Sequence, residues 1–176
     1  WQLMTGDAQA LAEVADPVSP DGGLGAVNAG LTAAMIATMA GNPTDAFAAI
    51  EQTRPLAEAF RFEAPFAGAL LDLSEFLALV ASGEIGLASD FAAQRRLDRF
   101  ADSAGVWSYA LAIVRVHDGR LGEAHSLAAL AVEQLKWRDF TGLLGTAIAL
   151  HATVEAQWGD PAAARELLGE VSAEHA

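Results

Sequence analysis

The sequence predicts an all-α protein in which antiparallel helical hairpins stack side by side. Signals for β-strands are nearly absent, because no Asn-Gly or Asp-Gly turn lies between alternating β-branched runs. Apolar residues instead recur at the spacing of one helix face, as they do across residues 121–138. That stripe consists of Ala124, Leu127, Ala128, Ala131 and Leu135. A glycine-containing turn also recurs between apolar segments, and repeats of this length are typical of stacked hairpins.

The recurring turn places a glycine between two apolar segments and an alanine five residues later. The glycines lie at intervals of 42, 36 and 40 residues, and the four pairs are Gly41/Ala46, Gly83/Ala88, Gly119/Ala124 and Gly159/Ala164. Glycine ends a helix at little cost because it adopts the left-handed backbone conformation without strain. Each alanine is expected where two antiparallel helices cross, since a larger side chain would push them apart. Gly6-Asp7 resembles a fifth turn, so we expect the chain to be a fragment of a longer protein.

These turns place the helices in order along one expected domain of residues 1–176. The expected repeats cover approximately residues 24–61, 64–103, 104–138 and 140–173. Their paired helices are expected at 24–40 with 43–61, 64–82 with 85–103, 104–118 with 121–138, and 140–158 with 161–173. A short helix near residues 6–15 and a loop rich in proline and glycine precede them.

Several residues refine this assignment. Asn42 and Asp160 are typical helix N-caps, and the proline after each one suits the first helical position. Pro55 lies inside the second helix and should bend it, because proline removes a backbone hydrogen bond. Three tryptophans near helix junctions are expected to pack between repeats: Trp107, Trp137 and Trp158.

Length, composition and charge exclude several classes of protein. The 176 residues are 53% hydrophobic and 19% charged, so the chain is able to bury its own core. No run of about 18 uncharged apolar residues predicts a membrane span. The formal net charge of −13 repels phosphates and anionic headgroups, so we expect no binding of nucleic acid or membranes by this chain. There is no cysteine, which excludes disulfides, and no signal peptide opens the chain, so a cytoplasmic location is expected.

Side chains that could perform chemistry are few, and the sequence predicts no enzyme, no cofactor and no metal site. His151 and Glu155 lie four residues apart on one helix face, a spacing that suits two metal ligands. A third ligand is not evident, and a turn separates the pair from His117. A polar pair on the helix surface is therefore the favoured interpretation.

An acidic pair and a basic cluster are also interpreted as parts of helix surfaces and not as catalytic or binding sites. Asp72 and Glu75 lie near each other on a helix, but the sequence identifies no partner base for them. The basic cluster consists of Arg95, Arg96 and Arg99, and the nearby acidic residues are Asp98 and Asp102. These acidic residues are close enough for pairs within the helix, so a solvated face is favoured over a phosphate site.

The small residues around three of the turns resemble the pattern of tetratricopeptide repeats. Those repeats place a small residue, a glycine seven positions later and an alanine five positions after that. The matching sets are Ala34-Gly41-Ala46, Ala112-Gly119-Ala124 and Ala152-Gly159-Ala164. The second repeat departs from the pattern because Phe76 occupies the small position, and the intervals exceed the ~34 residues of the standard repeat. The resemblance implies a right-handed superhelix of hairpins whose first helices face a concave groove.

Carried over residue by residue, the groove of that family identifies the predicted binding residues. They are Leu31, Met35, Met39, Leu73, Leu77, Tyr109, Ile113 and His117, flanked by Asn28, Val80, Thr153 and Gln157. An apolar lining with flexible methionines suits an amphipathic helix or an extended hydrophobic segment. The expected partner is a protein or peptide segment, or a small inducer. In the alternative interpretation a neighbouring domain or tight curvature fills the groove, and these residues are ordinary core.

The C-terminal third is similar to the end of the repeat region in actinobacterial LuxR-type transcriptional regulators related to MalT. The similar segments are Leu130-Ala131-Val132-Glu133, Gly142-Leu143-Leu144 and residues 156–169. This resemblance implies a ligand-sensing or protein-interaction domain, accompanied in the whole regulator by a nucleotide-binding domain and a helix-turn-helix. Neither of these is present within the 176 residues. The alternative is a free-standing tetratricopeptide adaptor that assembles other proteins.

Overall fold

The structure of the chain is a computed structural model that describes residues 23–63, 66–97, 103–139 and 141–174. Within these ranges the regular elements are α-helices and no strand occurs, which confirms the all-α prediction. The helices divide into two compact units, the first ending at Glu84 and the second beginning at Ile85. This boundary falls inside the predicted second repeat of residues 64–103. The short helix expected near residues 6–15 lies outside the described residues.

The first unit contains three described helices: α1 (Leu24–Met39), α2 (Pro43–Ala59) and α3 (Ala67–Ala81). α1 and α2 form a hairpin, and α3 packs against both of them. Their shared core consists of Val27, Ala34, Ile50, Ala57, Ala67 and Leu71. Because half of these side chains are alanine, the helices approach each other closely. Phe76, which departs from the small-residue pattern, is fully buried on α3.

An arginine on α2 joins this helix to α3 through two charged hydrogen bonds. Arg54 donates from Nη1 to Asp72 Oδ1 at 2.7 Å and from Nη2 to Glu75 Oε2 at 2.6 Å. One planar guanidinium group reaches both carboxylates because they lie three residues apart on one face of α3. The structure thus identifies the partner of the two carboxylates that the sequence left without one.

The second unit contains five described helices: α4 (Ile85–Leu97), α5 (Ala104–His117), α6 (Leu121–Trp137), α7 (Leu144–Trp158) and α8 (Pro161–Glu174). Each of these helices packs against the next one along the chain. α5 is largely enclosed, with nine of its 14 residues buried. Trp107 on α5 is buried and meets the ring of Phe91 edge-on, with ring centroids 6.1 Å apart. Trp137 is exposed at the last position of α6, so the prediction that it packs between repeats is wrong.

Three of the predicted turns share one helix-ending geometry. At the first turn, the Gly41 amide donates to the Thr38 carbonyl and the Asn42 amide donates to the Ala37 carbonyl. The same two backbone hydrogen bonds, from the glycine amide and from the amide of the next residue, form at Gly83 and Gly119. The φ angles of Gly41, Gly83 and Gly119 are 71°, 80° and 72°. This Schellman arrangement requires a left-handed residue, which explains why glycine recurs there.

The predicted caps and the repeated alanines are present in the structure. Asn42 Oδ1 accepts a hydrogen bond from the Asp45 amide, and Asp160 Oδ1 accepts from the amides of Ala162 and Ala163. The repeated alanines are all buried, as predicted: Ala46, Ala88, Ala124 and Ala164. α2 continues through Pro55 to Ala59, so the loss of one backbone hydrogen bond does not end the helix.

A further cap, which the sequence analysis did not identify, begins α7. The Asp139 carboxylate accepts hydrogen bonds from the amides of Thr141, Leu143 and Leu144 at 3.0, 3.1 and 2.8 Å. Burial alone would raise the pKa of Asp139, but the bonds from Leu144, Thr141 and Leu143 outweigh it and lower the pKa below its ordinary value. The carboxylate therefore satisfies amides that an uncapped helix start would leave without partners.

Candidate functional site

The eight predicted groove residues are divided between the two units and differ widely in exposure. Leu31, Met35, Met39, Leu73 and Leu77 belong to the first unit, and Tyr109, Ile113 and His117 belong to the second. Met39 and His117 are exposed, whereas Leu31, Met35, Leu77 and Ile113 are partly buried. The other two, Leu73 and Tyr109, are only 2% and 8% exposed. Their assignment to an open binding surface is corrected, because enclosed side chains of this kind belong to the core.

The burial of Tyr109 also changes its chemistry. Loss of water around the phenol raises its pKa above the ordinary value, since the charged phenolate is disfavoured in an apolar environment. Tyr109 is therefore a neutral core side chain over the physiological pH range.

Three of the four groove residues of the first unit that are not buried lie on α1, which has an unusual composition. None of the 16 residues from Leu24 to Met39 is charged, yet only Val27 and Ala34 are buried. Leu31, Met35 and Met39 follow one another at four-residue intervals and so lie along one side of the helix. α1 thus combines an uncharged, largely apolar sequence with incomplete burial.

A second group of side chains meets where α6 packs against α7. Nε2 of His125, on α6, lies 2.5 Å from Oε2 of Glu155, on α7. Nε2 of His151, one turn before Glu155, lies 3.9 Å from the same oxygen. The two imidazole rings have centroids 5.0 Å apart. We call His125, His151 and Glu155 the histidine cluster.

The histidine cluster is mostly shielded from water. The side chains of His151 and Glu155 are 13% and 15% exposed, so they do not form the solvated surface pair that the sequence favoured. Neither Nδ1 nor Nε2 of His151 has a hydrogen-bond partner among the described residues. Burial lowers the pKa of His151 and the neighbouring His125 lowers it further, whereas the Glu155 carboxylate opposes both effects. His151 is therefore a neutral imidazole near pH 7.

An indole ring covers one side of the cluster. Trp158 follows Glu155 by one turn on α7, and its ring centroid lies 4.7 Å from that of His125. A side chain at Gly122, on α6, would lie 3.6 Å from the indole, in ordinary van der Waals contact with it. Trp158 therefore packs against both Gly122 and His125, and it shields the imidazole from solvent on that side.

His125 is the member of the cluster that the sequence analysis missed. The spacing of His151 and Glu155 correctly indicated a shared helix face, but it indicated no third partner, and a turn separates the pair from His117. The structure places His125 there instead, because α6 and α7 are packed neighbours. The one available signal was that His125 follows Gly122 by three residues, which puts a small residue and a histidine on one face of α6.

Two other features of the described residues, a surface depression and the basic cluster, bring together fewer groups that could bind a ligand or catalyse a reaction. A shallow depression on the first unit has seven lining residues, namely Ala33, Ile36, Ala37, Ala40, Asn42, Asp45 and Ala49. None of the predicted groove residues belongs to that lining. In the basic cluster, the Arg95 guanidinium lies 5.1 Å above the centre of the Phe91 ring, while Arg99 and its acidic neighbours lie outside the described residues.

Comparison of the chain with protein-family models, with curated proteins and with solved structures finds no match. Over the part of the chain that the structure describes, none of the helices combines the length and apolar character that crossing a membrane requires.

Proposed function

We propose that this chain is a non-catalytic, tetratricopeptide-like repeat domain that serves as the sensing or protein-interaction part of a cytoplasmic LuxR-type transcriptional regulator. The occupant of its binding surface is an apolar protein segment or a small apolar inducer. The proposal rests on the repeated hairpin turns, on the resemblance of the C-terminal third, and above all on the uncharged and incompletely buried helix α1.

α1 carries the proposal because its composition does not suit a helix that only faces water. A surface helix normally has charged residues on its outer side, but the 16 residues of α1 include none. Apolar surface that a fold leaves incompletely buried, as on α1, is typical of an interaction site. Met35 and Met39 add flexible, polarisable side chains, which adapt to partners of different shapes.

The binding surface is tested in the full-length protein with a transcription reporter. Met35→Glu and Met39→Glu place a charge on the side of α1 that we propose as the binding surface, so both should abolish the transcriptional response. The matched control is Leu87→Glu, which introduces the same charge at an exposed leucine on α4. Circular dichroism should show unchanged helix content in all three variants. An unaltered response in both α1 variants would exclude this surface.

The role in transcription is tested separately by the coding sequence on either side of these 176 residues. A basic helix-turn-helix encoded downstream supports the regulator. A stop codon soon after Ala176 would favour the adaptor that assembles other proteins. The chain alone should not retard DNA in a gel-shift assay at low salt, because its net charge of −13 opposes phosphate contacts.

A further inference from the structure

We propose that the histidine cluster binds a divalent transition-metal ion of the zinc type, held by His125, His151 and Glu155. The ion would link α6 to α7 and so connect the third predicted repeat to the fourth. This inference does not depend on the proposed function in transcription.

The positions of the donor atoms support a shared ion. One donor atom from each of the three side chains lies within 4.8 Å of the other two. Donors around a tetrahedral zinc ion lie roughly 3.3 Å apart, because zinc bonds to nitrogen and oxygen are about 2.0–2.2 Å long. Nε2 of His151 and Oε2 of Glu155 are 3.9 Å apart, and Nε2 of His125 and the same oxygen are 2.5 Å apart. An ion between these atoms would require the Glu155 carboxylate to rotate, so that the shorter separation lengthens.

The unpartnered imidazole of His151 is a second, independent indication of a ligand. Buried polar atoms are nearly always hydrogen-bonded, because an unpaired one loses the free energy of its contacts with water. Both ring nitrogens of His151 are buried without a partner among the described residues. A metal ion at Nε2 would replace the lost contact with water.

The kinds of donor atom select the class of metal. Imidazole nitrogens favour zinc, copper, nickel and iron, whereas calcium and magnesium prefer a shell made only of oxygen atoms. Two imidazoles and one carboxylate therefore select a transition metal. Three protein ligands leave one tetrahedral position for water or for a donor atom of another molecule.

The surroundings also favour a cation. The formal net charge of −13 raises the concentration of positive ions near the protein. Trp158 packs against His125 and restricts the orientations of its ring, which lowers the conformational entropy lost on binding. Since the indole touches one of the three ligands, metal binding should also change the fluorescence of Trp158.

The first experiment measures zinc binding by the full chain after treatment with a chelator. Isothermal titration calorimetry with Zn²⁺ should show one site per chain, and the thermal unfolding midpoint should rise with the logarithm of zinc concentration. Co²⁺ should give visible absorption bands of a low-coordinate nitrogen and oxygen site. Mg²⁺ and Ca²⁺ at the same concentrations should change neither signal. The absence of saturable zinc binding would overturn the proposal.

Variants of the ligands separate this cluster from other histidines. His125→Ala, His151→Ala and Glu155→Gln should each weaken zinc binding by more than about tenfold, because losing even an outer partner of a metal site costs about 10- to 100-fold. Glu133→Gln removes an exposed carboxylate from α6 and should bind zinc like the unaltered chain. If a histidine variant does not fold, the near-isosteric Glu155→Gln decides the question. Binding of unchanged strength and stoichiometry in Glu155→Gln would place the ion elsewhere and overturn the proposal.

Discussion

Arg54 on α2 lies 2.7 Å from Asp72 on α3, and the same guanidinium group reaches Glu75 at 2.6 Å. The Asp72 side chain is mostly buried, so its charge has little access to water. Removing the arginine leaves two neighbouring carboxylates without their shared cation, which costs more than the loss of an exposed pair.

We therefore expect Arg54→Ala to lower the free energy of unfolding by about 1–2 kcal/mol, more than the ~0–1 kcal/mol typical of exposed ion pairs. Arg61→Ala is the matched control, because Arg61 pairs with Glu58 and both side chains are exposed. It should change stability by less than about 0.5 kcal/mol. Urea denaturation measures both variants, and a double-mutant cycle with Asp72→Asn isolates the pair. Equal effects of the two arginine variants would contradict the importance of the α2–α3 bridge.

The buried alanines of the repeated turns provide a second test. Ala124 and Ala164 are buried, so Ala→Leu at either position should overpack the helix crossing and cost roughly 1–3 kcal/mol. Ser126 lies on the exposed side of α6, and Ser126→Leu should be nearly neutral. Thermal unfolding followed by circular dichroism compares the three variants. Similar melting temperatures for the two classes would show that the alanines are not in tight helix crossings.

Replacing a glycine inside a helix by alanine should lower the free energy of unfolding at one position and raise it at another. A Cβ added at Gly30 would lie 1.9 Å from Thr53 Oγ1 and 2.8 Å from Thr53 Cβ, so Gly30→Ala should force α1 and α2 apart. The expected loss is on the order of 1–3 kcal/mol. Gly169 on α8 has open space around the same position, so Gly169→Ala should stabilise the protein by about 0.5–1 kcal/mol through helix propensity alone. Denaturant midpoints distinguish the two outcomes, and stabilisation by Gly30→Ala would contradict the close α1–α2 contact.

The cap at the start of α7 gives a prediction that depends on pH. Asp139→Ala should destabilise the protein by about 1–2 kcal/mol at pH 7, because it leaves helix amides without partners. The pKa of Asp139 is lowered by folding, so its contribution is present above the unfolded value of about 3.9 and is lost as the pH falls through the lower folded value. The difference between the two proteins should therefore shrink below about pH 4. Urea denaturation between pH 2.5 and pH 7 in roughly half-unit steps measures it, and a difference that stays constant down to the lowest pH would contradict a charged cap.

Much of the fold could be predicted from the sequence because its signals are local. Helix ends depend on residues within one turn, so Gly41, Gly83 and Gly119 identified three helix ends through the left-handed conformation that glycine tolerates. Asn42 and Asp160 identified two helix starts, because their side chains cap amides within the first turn. The five-residue spacing from the turn glycine likewise placed Ala124 and Ala164 on inward faces, since that position depends only on spacing along one helix.

The burial of individual groove residues could not be predicted in this way. Leu73 and Tyr109 occupy positions that face an open groove in tetratricopeptide repeats, but here they are enclosed. Whether a given face of a helix is covered depends on which other helices pack against it. That information lies in residues distant along the chain.

The histidine cluster shows the same division. The four-residue spacing of His151 and Glu155 placed them on one face of α7 from the sequence alone, because the rise and rotation of an α-helix are constant. Which residue of α6 lies opposite depends on how far α6 is rotated and shifted along α7. In the observed packing, Trp158 of α7 lies against Gly122 of α6, and this places His125 of α6 beside Glu155 of α7. The sequence alone determined most of the helix ends and the inward positions of the repeated alanines, because both follow from short-range backbone geometry. Only the tertiary structure decided the partner of each polar side chain, since the contact between two helices is the sum of many weak packing interactions.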